Sequence, residues 1–294
     1  MARWPPRPAM NSRARSAPPS WPPTNMRWTA STRMPPMSEL ATAIVSLVSS
    51  SLCAQGMRET NQDAIGDAGK EGIACFVVAD GAGGHVGGEV ASRLAVESVL
   101  GSFAGNPAFG AAALRAMVEQ AGERIVSDKQ AAPGREDMST TIAALLVDQQ
   151  AGQAVWAHLG DTRVYLFRGG RLHSVSKDHS LTQQLIDAGY ASTGQLRTHP
   201  QRNVLYAALG AGGDTSAAVS EETTVSPGDA FLLCSDGLWE WVHDDDMERT
   251  LQAALSPEDW LAALSRVAQS NAGATRKVRD NYSAYAVMVR GAPA

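Results

Sequence analysis

The chain has 294 residues, 44% of them hydrophobic and 19% charged, with a net charge of −5. This is ordinary globular composition with enough chain for one sizeable core. The acidic balance excludes a broad nucleic-acid footprint, and no run of about 20 apolar residues offers a membrane span.

Residues 1–37 differ from the rest. They hold six Arg, no acidic residue, nine of the fifteen Pro and three of the seven Trp, which leaves 19 basic against 30 acidic residues beyond them, a net of −11. A Pro/Arg/Ser segment without periodicity has no face to bury, so it reads as a disordered, solvated tail, with Met37 as an alternative start. An Arg-rich leader is the other reading. The folded domain is expected over 38–294. Cys53, Cys75 and Cys234 show no CxxC spacing and read as reduced, structural cysteines of a cytoplasmic protein.

From Ala41 to Val48 small and apolar residues mix as in a strand, leading to a loop from Arg58 to Asp63. Ile73 to Ala79 is an apolar run suited to a strand covered on both faces. It runs into Asp80 and a glycine-rich turn. Gly88 to Leu100 and Ala111 to Val126 have helical spacing, the second placing Leu114, Met117, Val118, Ala121 and Ile125 on one face. A linker, Ala131 to Asp137, precedes a strand from Thr140 to Val147. Gln153 to Gly160, Arg163 to Arg168 and Arg171 to Val175 form a meander, with Gly169-Gly170 as a two-residue hairpin turn. Leu181 to Ala188 is a short helix, and Tyr190 to Gln201 is polar and irregular, a mobile flap. Val219 to Val225 and Ala230 to Cys234 read as a hairpin around Pro227-Gly228-Asp229. Asp244 to Leu255 and Pro257 to Ala268 are helices, and Ala284 to Val289 is the last strand. Helices in blocks between antiparallel meanders predict an α+β fold of stacked sheets flanked by helical layers.

Aspartates recur at strand ends. Asp80, Asp161 and Asp236 each close an apolar strand, Asp280 precedes one, and Asp63 closes Arg58-Glu59-Thr60-Asn61-Gln62-Asp63. Five such ends suggest convergence on a shared metal site. Carboxylates without a His/Cys cluster select hard cations, Mg²⁺ or Mn²⁺. A calcium-binding module would instead cluster its ligands in one short loop.

In order, Arg58-x-x-Asn61-Gln62-Asp63, Asp80-Gly81-Ala82-Gly83-Gly84-His85, Gly160-Asp161-Thr162-Arg163, Thr198-His199-Pro200-Gln201-Arg202-Asn203, Ser235-Asp236-Gly237-Leu238-Trp239 and Asp280-Asn281 span about residues 40–290. Together they resemble the PP2C (PPM) family of metal-dependent serine/threonine protein phosphatases, in its compact bacterial form. The resemblance implies a four-layer α/β/β/α sandwich and hydrolysis of phosphoserine and phosphothreonine in proteins by a metal-bridging water. It also implies phosphoprotein substrates and an opposing bacterial Ser/Thr kinase. Two Mn²⁺ or Mg²⁺ ions are implied, with Asp80 bridging them and the Gly81 carbonyl completing one sphere. Asp236 and Asp280 then hold the second ion, and Asp63 sits beside it.

Arg58 is the natural phosphate clamp, since guanidinium matches phosphate oxygens bidentately. His85 is the candidate general acid for the leaving alkoxide, or else a structural histidine behind the turn. Asp161 and Arg163 are expected to hold a loop, Trp239 and Cys234 to pack, and His158, His179 and His199 to be structural or flap residues. Some bacterial relatives take a third ion through an Asp before Met-Gly-Thr-Thr. Here the matching position is Gly134, so a third ion would need Asp137 or Glu136. A phosphatase-like binding module without turnover is the alternative, and it would predict losses among the aspartates or Arg58; all are present.

Overall fold

The computed structural model describes residues 44–82, 84–131, 133–212, 216–275 and 278–292. The tail expected over 1–37 lies outside them. Ala41–Ala294 groups as one compact unit.

Twelve strands lie in two sheets. They are β1 (Val45–Ala54), β2 (Asp63–Lys70), β3 (Ile73–Ala82), β4 (Ser139–Thr140), β5 (Ile142–Asp148) and β6 (Gln153–Leu159), then β7 (Arg163–Arg168), β8 (Arg171–Val175), β9 (Ala218–Val219), β10 (Thr223–Thr224), β11 (Ala230–Cys234) and β12 (Tyr282–Gly291). The first sheet runs β1-β12-β11-β7-β8 and the second β10-β6-β5-β3-β2, with β4 on β3 and β9 on β6. Every pairing is antiparallel.

The apolar runs bury both faces, one against the other sheet and one against helices, so they cannot show a clean polar alternation. In β3, Phe76 and Val78 join Leu145, Leu166, Phe231, Leu233 and Val287 between the sheets. Cys75, Val77 and Ala79 turn outward to the helices α1 (Gly84–Gly105) and α2 (Ala111–Ala131), meeting Val99, Phe103, Leu114 and Ile125. The five residues expected on the buried face of α2 are its buried residues. On the other flank, α5 (Asp244–Ala253) and α6 (Pro257–Gly273) cover the first sheet through Met247, Trp260, Leu264 and Ala268. Trp260 meets Phe167 edge-on at 5.3 Å. Between them come α3 (Leu181–Asp187) and the one-turn α4 (Asp236–Trp239). The result is the expected α/β/β/α order of layers. No described helix is long and apolar enough to cross a membrane.

Three local expectations change. The hairpin around Pro227-Gly228 is a crossover: Val219 pairs with Ala157 and Thr223 with Ala154 in the second sheet, while Ala230–Cys234 lies between β7 and β12 in the first. The turn itself forms, with the Asp229 N–H donating to Ser226 O, but a tight turn links stacked sheets as readily as neighbouring strands. Strand β2 carried no signal, because Asp63-Ala64-Ile65-Gly66-Asp67-Ala68-Gly69-Lys70 is polar and glycine-containing; pairing with β3 at a sheet edge makes it a strand. Strand β1 starts later than expected and continues through Ser49–Ser51 because β12 supplies ten residues of ladder.

Phe231 is fully buried between the sheets. Phe231→Ala is expected to cost about 3–5 kcal/mol in urea unfolding, through lost transfer energy and a cavity the paired sheets cannot close.

Candidate active site

Strand ends from both sheets meet at one end of the sandwich. Asp63 and Asp80 are direct cross-strand partners on β2 and β3. β11 runs through Ser235 into Asp236 at the start of α4, β6 ends at Gly160-Asp161, and Asp280 immediately precedes Asn281 and β12. Backbone packing here is close enough to require glycine. A Cβ on Gly237 would stand 1.9 Å from the Asn281 carbonyl oxygen, and one on Gly81 would stand 2.1 Å from that of Gly88.

The loop carrying Arg58 is fastened to this end by Asn281. The buried Asn281 amide donates to Gln55 O (2.8 Å) and Thr60 O (2.9 Å), and its Oδ1 accepts the Gln62 N–H (2.9 Å). The Met57 N–H adds a bond to Arg279 O at 2.9 Å. Arg58 itself is half exposed and donates to Asp280 Oδ2 at 2.5 Å. Its guanidinium therefore faces outward beside the acids.

Burial holds Asp63, Asp80, Asp161 and Asp236 away from their ordinary ionisation. Burial first, then Asp236 and Asp280, pushes Asp63 up to about 7. Burial and Asp280 push Asp236 up to about 6. Burial raises Asp80 well above the usual carboxylate range, reinforced by Asp63, Asp236, Asp161 and Asp280. Asp161 is raised in the same way, by burial and then Asp236. Ser235 Oγ donates to Asp63 Oδ2 at 2.8 Å and in turn accepts the Ser283 N–H at 2.9 Å. Asp63 Oδ1 is buried without a hydrogen-bond partner.

Such an acid cluster, with an orphaned carboxylate oxygen and oxygen donors only, fits a hard divalent cation. Among the described residues no three His, Cys, Asp or Glu side chains close on one point. Water and the Gly81 carbonyl would complete any coordination sphere, as Mg²⁺ chemistry favours.

The structure thus brings together Asp63, Asp80, Gly81, Asp236, Asp280 and Arg58. The side chain of His85 lies outside the described residues. Asp161, one of the five strand-end aspartates that the sequence suggests converge, though read there as a loop holder, stands near enough to Asp80 and Asp236 for their charges to act on one another. Glu136 and Asp137 are exposed, and Glu136 Oε1 is occupied by the Gly134 N–H. His158, His179 and His199 are structural: His158 bonds Lys177 O and stacks on His179 at 4.9 Å, His179 Nδ1 accepts the Gly160 N–H, and His199 Nδ1 accepts the Gln201 N–H.

The raised carboxyls fix a sign. Their folded values lie above the unfolded value near 3.8, so the stability they give is complete below about pH 4 and is lost as pH rises through about 6 to 7. In chelator, the melting temperature is therefore expected to fall between pH 5 and 7.5. Asp63→Asn should lessen that fall and stabilise the metal-free protein at pH 7.5 by on the order of 1 kcal/mol, measured as the difference from wild type in calorimetry.

Residues 55–277 match the family model described as protein phosphatase 2C. The serine/threonine protein phosphatase PstP of Mycobacterium tuberculosis is 34% identical over 201 residues, 67% of this chain but 37% of that protein, so the match spans little more than a third of that relative. The serine/threonine phosphatase stp of Listeria monocytogenes is 34% identical over 192 residues, 63% of this chain and 74% of that protein. Among solved structures, the catalytic domain of PstP in complex with two manganese ions superposes with a TM-score of 0.71 at 29% identity, over 84% of this chain and 99% of that one.

Proposed function

Because the chain belongs to the protein phosphatase 2C family, we propose that it is a cytoplasmic, metal-dependent enzyme that removes phosphate from phosphoserine and phosphothreonine in proteins, opposing a bacterial-type Ser/Thr kinase. The observation that carries this reading is the convergence of five aspartates from both sheets beside an outward-facing arginine. Neither a sheet edge nor a binding module without turnover needs buried carboxylates held above their ordinary ionisation range.

Asp80 would help hold two Mn²⁺ or Mg²⁺ ions, the Gly81 carbonyl completing the sphere of one of them. Asp236 and Asp280 would hold the second ion and Asp63 would stand beside it. The relative solved with two manganese ions supports that stoichiometry. Such a pair of ions, when bound, neutralises phosphoryl charge and lowers the pKa of water.

The chain's own residues supply the rest. Arg58 leaves Asp280 for the phosphoryl oxygens, which its fork matches bidentately. This orients phosphorus with the Ser/Thr oxygen pointing away from the acids. Water then attacks in line and its oxygen bonds to phosphorus as the bond between phosphorus and the Ser/Thr oxygen breaks; His85 delivers a proton to the departing alkoxide, and the proton that the water sheds leaves to solvent and so restores His85.

The full chain, stripped of metal and titrated with Mn²⁺, is expected to hydrolyse a phosphothreonine peptide. Asp80→Asn and Asp236→Asn should each lower kcat at least 100-fold, and Arg58→Ala should mainly raise KM. Metal binding without turnover on any phosphopeptide would favour a regulatory module instead.

The segment Tyr190–Asn203 shapes substrate access in this reading. It carries the exposed Tyr190 and a one-turn helix, Thr193–Arg197. Exchanging it for a relative's segment should change preference among phosphopeptides while hydrolysis of a small aryl phosphate stays nearly intact. An equal loss on both substrates would remove that role.

A further inference from the structure

Trp239 was expected only to pack. It is buried, but its bonds reach in two directions. Toward the acids, its indole N–H donates to the Asp161 carbonyl at 2.8 Å. Trp239 also follows Asp236 by three residues on the same short helix, α4. One side chain therefore ties the strand end bearing Asp236 to the one bearing Asp161. The ring is held in place by the Arg163 guanidinium, 3.5 Å from its centroid. That guanidinium is itself fixed by two bonds to Asp178 (2.7 and 2.6 Å) and one to the Tyr165 hydroxyl (3.0 Å).

Toward the flap, the Trp239 carbonyl accepts Arg197 Nε at 2.9 Å. Arg197 Nη2 also reaches Val242 O (3.2 Å) and Asp244 Oδ1 (2.8 Å). Arg202 adds a bond to Glu240 at 2.6 Å. The root of the segment is fastened to the other acid-bearing loop. The Tyr206 N–H donates to His179 O (3.0 Å), and the His179 N–H donates to Gly160 O (2.8 Å). The flap thus grips α4 at its tip and the Gly160-Asp161 loop at its root, and the Trp239 indole joins those two elements.

We propose that Trp239 is a positioning residue that couples the seating of residues 190–206 to the geometry of the acid cluster, and so to its affinity for divalent cations. The proposal rests on the reading that these acids hold such ions. Charge-assisted bonds from Arg197 satisfy the carbonyls at the end of α4. Releasing them lets α4 shift, and the indole carries that shift to Asp161 as well as to Asp236. Small divalent cations such as Mg²⁺ demand near-ideal octahedral oxygen geometry, so a small displacement of Asp236, and of Asp161 beside it, weakens binding. Coupling of this kind is reciprocal: bound cation must in turn tighten the flap.

The test titrates Mn²⁺ calorimetrically into the metal-stripped full chain and follows amide hydrogen exchange over 190–206. Arg197→Ala is expected to speed that exchange and to weaken Mn²⁺ binding roughly tenfold. Trp239→Phe keeps an aromatic ring under Arg163 but loses the N–H to Asp161, and it should weaken Mn²⁺ to a similar degree. The double variant should lose little more than either single one. Saturating Mn²⁺ should slow exchange over 190–206 in the wild type. If Arg197→Ala does not fold, Asp244→Asn loosens the same guanidinium from outside and carries the test with the same sign. Faster exchange with Mn²⁺ affinity within about twofold of wild type overturns the coupling, as does unaltered exchange in the variant. A wild-type chain that takes no Mn²⁺ defeats the reading of the acid site itself, and that result is visible without any variant.

Discussion

Five aspartates drawn to one end of a sandwich repel one another, and burial deepens the cost for each that stays charged. Most of the structure around them resists that repulsion. The two sheets share an apolar layer, the glycines at 81 and 237 let backbone approach backbone, and Ser235 and Asn281 spend their side chains on main-chain groups and on Asp63. A fold selected for stability alone would not assemble this cluster. Arg58 beside Asp280 and Arg202 beside Asp236 offset part of that charge, and a cluster that the fold holds at such a cost is a candidate functional site.

The supports fall into two groups. Asn281 and Met57 fix the loop that presents Arg58, using neutral hydrogen bonds at the start of β12. Arg163, Trp239 and Arg197 form a charged and aromatic group around α4, the helix that Asp236 begins. The first group holds the residue that would meet phosphate. The second links α4, which Asp236 begins, to the segment 190–206. On the proposed reading, one end of the structure would separate phosphate recognition from substrate access.

Much of this was legible in the chain. The apolar runs at 73–79 and 230–234, the face of α2, and the Gly169-Gly170 turn follow from periodicity and turn chemistry, and they are where the sequence places them, while the run expected over 140–147 divides into β4, ending at Thr140, and β5, starting at Ile142. Asp63, Asp80, Asp236 and Asp280 were visible because each stands at the end of a strong strand signal or in a motif of fixed spacing. The parts that were not legible share a cause. β2 is a strand only because β3 lies beside it, and the chain from Val225 to Ala230 changes sheets although its turn looks like that of a hairpin.

The sequence by itself determined the layer architecture, the identity of most of the acid residues and the oxygen-only chemistry of the site, because local periodicity and residue type carry that information. Tertiary structure decided which strand ends meet. It turned Asn281 from a motif neighbour into the fastening of the Arg58 loop, and gave Trp239 a hydrogen bond on each side of its own packing. Those roles depend on pairs separated by 42 to 226 positions along the chain, such as Trp239 with Arg197 and Asn281 with Gln55. No local pattern encodes such a pair; the pairing of β1 with β12 and the stacking of the two sheets bring the members together.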